Sequence, residues 1–209
     1  MFIRLFKAFV NQTRKPEGFL GKMMLNGMNS GHARLADWGF SHLPDIVPEQ
    51  AVDLGCGAGR NVGELLKKYP KAHVTGIDYS ELSVEKAKEY NRGSAAAGRC
   101  IIQKGDVSEL TLPAETFDLA TAFETVYFWP GLEKCFKQVA KILKPGGTFM
   151  ICNESDGTDP ASVRFEKIIN GMKNYPAEEI EAALKTAGFS ETKSDHHPSK
   201  PWITVLARK

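Results

Sequence analysis

The sequence predicts an α/β fold, a mostly parallel sheet wound by helices on both faces, with a helical cap in front of it. Three observations carry this. Between residues 51 and 152, short apolar runs alternate with segments of helical spacing. The first run hands over to a glycine-rich loop, Asp53-Leu54-Gly55-Cys56-Gly57-Ala58-Gly59. Helix-length segments separate the runs, which demands parallel pairing with right-handed crossovers.

Residues 1–48 lack strand signals and read as the cap. Phe2, Leu5, Phe6, Phe9 and Val10 fall on one helical face. Such a stripe packs on a core; the alternative is a membrane-surface helix over residues 1–12 that admits a lipidic substrate. Ala51-Val52-Asp53-Leu54 is the first strand, followed by a helix on Val62, Leu65, Leu66 and Tyr69. His73–Ile77 is the second strand. Ser80 caps the next helix, with Glu81 in its first turn and Gly98 at its end. Cys100–Gln103 and Phe117–Phe123 are strands three and four. Leu132, Cys135, Phe136, Val139, Ile142 and Leu143 form an amphipathic stripe, then Pro145-Gly146-Gly147 turns into a fifth strand at Thr148–Cys152. A lid-like insertion occupies about 153–175. Pro176 opens the last helix, Gly188 stops it, and two strands follow near 189–195 and 201–207.

At 209 residues, one domain (49–209) with a small cap is expected, large enough to bury a core without staples. A net charge of +2 argues against a protein that coats nucleic acid. Cys56, Cys100, Cys135 and Cys152 have neither zinc nor disulfide-framework spacing, so no metal site is expected and a cytoplasmic location is. Arg4 and Lys7 interrupt the N-terminal apolar stretch, and no signal peptide or membrane span is read.

The glycine loop lies where a strand should meet a helix. There glycines let the backbone approach a ligand, and free N–H groups face it. A tight turn is the plainer explanation, which the strand-loop-helix context outweighs. Asp78, at the end of strand two, holds the position from which a carboxylate accepts ribose hydroxyls; a solvated loop acid is the alternative. Asp106 follows strand three and could accept from an adenine amino group, or serve a turn.

These segments, VDLGCGAG (52–59), GIDYS (76–80), GDV (105–107), FDLATAFETVYFW (117–129), LKPGG (143–147) and AALKTAGF (182–189), resemble the class I S-adenosylmethionine-dependent methyltransferases, in the family's order. The resemblance implies a Rossmann-like, doubly wound, seven-stranded sheet with an antiparallel last strand. It implies S-adenosylmethionine as cofactor, with Gly55, Cys56 and Gly57 at the methionine portion and Asp53 supporting its amino group. It further implies Asp78 on the ribose, Tyr79 against adenine, Asp106 and Val107 on the adenine edge, and the Phe123 carbonyl on the amino group. A nicotinamide dehydrogenase is the rival within the fold, but its fingerprint wants G-x-G-x-x-G. Here the third glycine comes one residue early, and Asp53 is awkward beside a pyrophosphate. A non-catalytic module binding the same nucleoside is the other alternative.

On the acceptor side, the segment after strand four should line the pocket. Its aromatics, Phe128 and Trp129, suit an apolar or planar acceptor or pack the next helix. An Asn/Asp-Pro-Pro-Tyr/Phe motif of DNA and protein-glutamine methylators is absent. A small-molecule acceptor and no nucleic-acid partner are expected. His32 and Tyr127 are the candidate catalytic bases; both also have structural readings.

Overall fold

The computed structural model describes residues 9–209, with the side chains at 26 and 28–31 left aside. Phe2, Leu5 and Phe6, and with them most of the 1–12 membrane-surface reading, lie outside the described residues. Val10 is buried.

Seven strands form one sheet: β1 (Gln50–Leu54), β2 (His73–Asp78), β3 (Cys100–Lys104), β4 (Phe117–Phe123), β5 (Leu143–Asn153), β6 (Glu191–His196) and β7 (Ile203–Arg208). Their spatial order is β3-β2-β1-β4-β5-β7-β6. Pairs among β1–β5 are parallel, and β7 runs antiparallel to both β5 and β6. Order reverses between β1 and β4, so the carboxyl ends of these two strands flank a crevice, the usual ligand position in such sheets.

The central strands are apolar on both faces because helices cover both. β1 and β4 are buried almost throughout. On one face, the stripe of α6 (Leu132–Ile142) seats Phe136 and Val139 against Phe149. Phe136, Phe149 and Trp129 meet at centroid distances of 5.8–6.3 Å. Burying Phe136 alone is worth roughly 1.5–3 kcal/mol. On the other face, α3 (Arg60–Lys68) places Val62, Leu65 and Leu66 on the sheet. The cap contributes α1 (Gly18–Gly31) and α2 (Ala33–Ser41), with Leu35, Ala36 and Phe40 of α2 joining that second core.

Three local expectations are corrected. The helix after β2 breaks into α4 (Glu81–Tyr90) and α5 (Arg92–Ala96). The Asn91 side chain donates to the carbonyls of Ala87 and Gly59, ending one helix and tying it to the glycine loop. Pairing begins at Leu143, ahead of the expected turn: Phe117 pairs with Leu143 and Leu119 with Thr148, so Pro145-Gly146-Gly147 is an irregularity inside β5. Gly146, at φ +76°, supplies the bend. Pro176 is the N-cap of α8 (Ala177–Thr186) and precedes its first turn. The insertion contains α7 (Pro160–Glu166), capped by Asp159, whose side chain accepts from the Ser162 N–H.

Candidate active site

The site grows from the end of β1. Gly55, Gly57 and Gly59 all take left-handed backbone angles, at φ +79°, +53° and +85°. Two loop N–H groups, of Gly55 and Cys56, donate to the Ile77 carbonyl at 2.8 and 2.9 Å. These bonds fix the loop to the end of β2. A Cβ at Gly55 would lie 2.1 Å from Thr125 Oγ1, and one at Gly59 2.8 Å from the Ala87 backbone. A Cβ at Gly57 would meet nothing within 4 Å. The loop is thus packed at its two ends and open at its centre.

That opening is a cavity walled by Gly55, Cys56, Gly57, Asp78, Tyr79 and Asp106 on one side. Val107, Phe123, Glu124, Phe128 and Trp129 continue the wall, and His32 and Leu35 of the cap close it. Eight of the nine expected cofactor-side residues line this one space. The ninth, Asp53, does not. It is 1% exposed beneath the loop, where its carboxylate accepts from the Thr121 hydroxyl at 2.7 Å. Any contribution it makes to the loop is exerted from below.

Asp78 is buried, and its two oxygens accept from the N–H groups of Gly57 and Ser80, both at 2.9 Å. Burial pushes its carboxyl above the usual range although those bonds oppose the shift. Asp106 accepts from the Ser108 N–H at 2.8 Å and caps a short 3₁₀ turn that presents Val107. Tyr79 donates its hydroxyl to the Arg14 carbonyl, and Ser80 donates to the Pro16 carbonyl at 2.9 Å. Thr13, Arg14 and Pro16 therefore form a strap over the β2 end of the cavity.

The insertion puts no residue on the cavity wall among the described residues; it holds the strap. Asn170 donates its N–H to Asn11 at 2.9 Å and accepts from Arg14 at 3.2 Å.

The acceptor end differs most from expectation. Tyr127 is buried behind the wall, donating to Glu124 Oε1 at 3.0 Å and accepting from the Ser155 N–H at 3.0 Å. Burial and the neighbouring Glu124 drive its hydroxyl well above its ordinary range. It does not line the cavity, and its hydrogen bond anchors Glu124. Trp129 joins both earlier readings: it packs on Phe136 and Phe149, lines the cavity, and donates its indole N–H to Thr125 at 3.1 Å.

Glu124, which the sequence reading passed over, lies on the wall at φ +59° as β4 ends. Burial and the nearby Glu154 push its carboxyl up to about 8. His32, at the α1–α2 junction, sits 3.5 Å from Glu154, which follows β5. The side-chain ligand atoms of His32, Glu124 and Glu154 all lie within 4.8 Å of one another. No spacing in the sequence signals this trio, because three separate elements supply it.

Residues 48–197 match the methyltransferase-domain family. The chain belongs to that family. Among curated relatives, the sterol 24-C-methyltransferase erg-4 of Neurospora crassa is 28% identical over 171 residues, 76% of this chain and 45% of that protein. The chain spans about half the length of the curated relatives it matches. Two solved methyltransferases share the fold. An S-adenosylmethionine-dependent methyltransferase from Mesorhizobium loti superposes with a TM-score of 0.69 at 20% identity, over 83% of this chain and 98% of that one. Geranyl diphosphate C-methyltransferase from Streptomyces coelicolor, solved with S-adenosyl-L-homocysteine, gives 0.74 at 12% identity, over 84% and 75%. This methyltransferase domain has the expected seven-stranded, mostly parallel sheet with an antiparallel last strand.

Proposed function

We propose that the chain transfers a methyl group from S-adenosylmethionine to a small-molecule acceptor. The observation that carries this is the empty space beside Gly57, framed by two carboxylates, Asp78 and Asp106, with the Phe123 carbonyl end of β4 opposite. The donor set suits the cofactor: carboxylates accept from a ribose diol and an adenine amino group, and a carbonyl accepts from an ammonium. A pyrophosphate would meet Asp78 and Asp106 in one cavity, an unfavourable pairing of like charges.

When bound, S-adenosylmethionine supplies an electrophilic methyl on a sulfonium, whose sulfur keeps the bonding pair as the acceptor takes the methyl. Gly55, Cys56 and Gly57 would hold the methionine portion, Asp78 the ribose, and Tyr79, Asp106 and Val107 the adenine. Asp53 stiffens the loop through Thr121. The strap of Thr13–Pro16 excludes water from the nucleoside end. Phe128, Trp129 and Leu35 give the acceptor end apolar walls. Holding donor and acceptor in line in such a site supplies much of the acceleration. Where no ion engages it, His32 stands on the acceptor side as the candidate base.

The relatives named for sterol and geranyl diphosphate methylation support a small, largely apolar acceptor. Four free, buried thiols support a cytoplasmic setting. Among the described residues, no helix is long and apolar enough to cross a membrane.

Calorimetric titration with S-adenosylhomocysteine, run beside NADH, tests the cofactor. Binding of the first alone is expected; binding of NADH alone overturns the proposal. Single-turnover transfer from radiolabelled cofactor to a panel of small acceptors separates an enzyme from a non-catalytic binding module.

A further inference from the structure

We infer that His32, Glu124 and Glu154 form a divalent-cation site at the acceptor end of the cavity, one that takes a first-row ion of the manganese–zinc kind. One imidazole and two carboxylates converge from three different elements: the α1–α2 junction, the end of β4 and the end of β5. Their ligand atoms lie within 4.8 Å of one another, so a small inward movement of side chains brings all three to bonding distance of one ion. Such a mixed set suits manganese or zinc better than a soft ion such as Cu(I), because it offers no sulfur.

The trio has what a metal site needs besides its ligands. Glu124 is held by its outer partners: Tyr127 and the Glu154 N–H both donate to Oε1. No hydrogen bond engages Oε2 among the described residues, and the residue lines the cavity. Partners of this kind orient ligating carboxylates in metal sites. Burial disfavours ionisation of the Glu124 carboxyl, and Glu154, beside the wall, stands close enough that its charge adds to the cost. A dication held by the trio would offset that cost. His32 and Glu154 are each partly exposed, with side-chain exposures of 32% and 52%, so the ion has a path in from solvent.

Three protein ligands leave coordination positions open. Two of the ligands, His32 and Glu124, line the cavity that the proposed function assigns to the acceptor, so those positions would open toward it. The site therefore selects acceptors bearing an anionic or chelating oxygen, and this part of the inference rests on the methyltransferase reading. The ion would fix that oxygen and favour its ionised form, as a Lewis acid does.

The test uses the full chain and needs no acceptor. Mn²⁺ is titrated while its electron paramagnetic resonance signal is followed, with Zn²⁺ as competitor. The expectation is one Mn²⁺ per chain, with affinity falling in His32→Ala and in Glu154→Gln by at least the roughly 10–100-fold that loss of an outer-shell partner costs. Both side chains are partly exposed, so both variants should melt near the parent temperature. No Mn²⁺ or Zn²⁺ binding at millimolar concentration overturns the site. So does binding that neither substitution weakens. Loss of S-adenosylhomocysteine binding in the parent chain with the metal still bound would overturn the cofactor reading and leave the ion site standing.

Discussion

The backbone N–H of Gly57 donates to Asp78 at 2.9 Å, so the centre of the glycine loop hangs on a buried carboxylate at the end of the next strand. The other oxygen of Asp78 accepts from Ser80. One side chain thereby sets the loop, caps the approach to α4 and faces the cavity. Asp78→Ala should weaken S-adenosylhomocysteine binding by about 1.5–3 kcal/mol, or roughly 10–150-fold, the scale of charge-assisted hydrogen bonds. Asp78→Asn retains one acceptor and should lose less. Calorimetry measures both; unchanged affinity in Asp78→Ala means that the ribose sits elsewhere.

Two glycines of one loop should respond differently to the same methyl group. At Gly55 an added Cβ lands 2.1 Å from Thr125 Oγ1, the acceptor of the Trp129 indole N–H. Gly55→Ala must push Thr125 aside and should lower the melting temperature sharply. At Gly57 the space is open and only the left-handed backbone resists, at about 1–2 kcal/mol. Gly57→Ala should fold, yet bind S-adenosylhomocysteine poorly, because its methyl enters the cavity. Thermal melts and titration of both variants decide; a milder Gly55→Ala than Gly57→Ala in the melts would contradict this packing.

How much of this was legible depended on whether the signal was local. Phe117–Phe123 carries five apolar residues, interrupted only by Asp118 and Thr121, and is strand β4 with those bounds. The glycine loop carries its own backbone demands, so its place at the β1 carboxyl end could be read directly. The break at Asn91 could not, since its cause is a side chain bonding across to Gly59. Tyr127 looked like a base because it follows the strand end, but one turn of 3₁₀ helix at Val126–Phe128 carries it behind the wall. Glu124 and Glu154 read as ordinary acids in sequence. They become chemically unusual only when β4 and β5 end side by side, with Phe123 paired to Cys152.

Tyr79 connects the cofactor side to the strap. Its hydroxyl donates to the Arg14 carbonyl, and burial pushes it up to about 12, so it remains a donor across the working pH range. Tyr79→Phe keeps the ring and removes that bond, worth about 0.5–1.5 kcal/mol. The strap should then open more often. Stopped-flow measurement should show S-adenosylhomocysteine leaving about 2–10-fold faster at that scale, with little change in melting temperature. Equal dissociation rates would mean that the strap does not gate release.

Asp53 gives stability a pH dependence of definite sign. Burial pushes its carboxyl from 3.8 up to about 7, the Thr121 hydrogen bond opposes the shift, and the charge of Asp78 adds to it. Between these two values the folded chain keeps a proton that the unfolded chain releases. The stabilisation is complete below the unfolded value and is lost as pH rises through the folded one. Stability should therefore fall as pH rises from about 4 to 7, by at most about 1.4 kcal/mol per pH unit from this group, and then level off. Asp53→Asn is neutral throughout and its Oδ1 can still accept from Thr121. Its melting temperature should vary less with pH, and at pH 8 it should exceed that of the parent chain. A residual slope from Asp78 and Glu124, both also raised by burial, should survive in the variant. Melting curves at half-unit steps from pH 5 to 8 test this, and identical pH slopes for the two proteins would show that Asp53 is ionised in the fold.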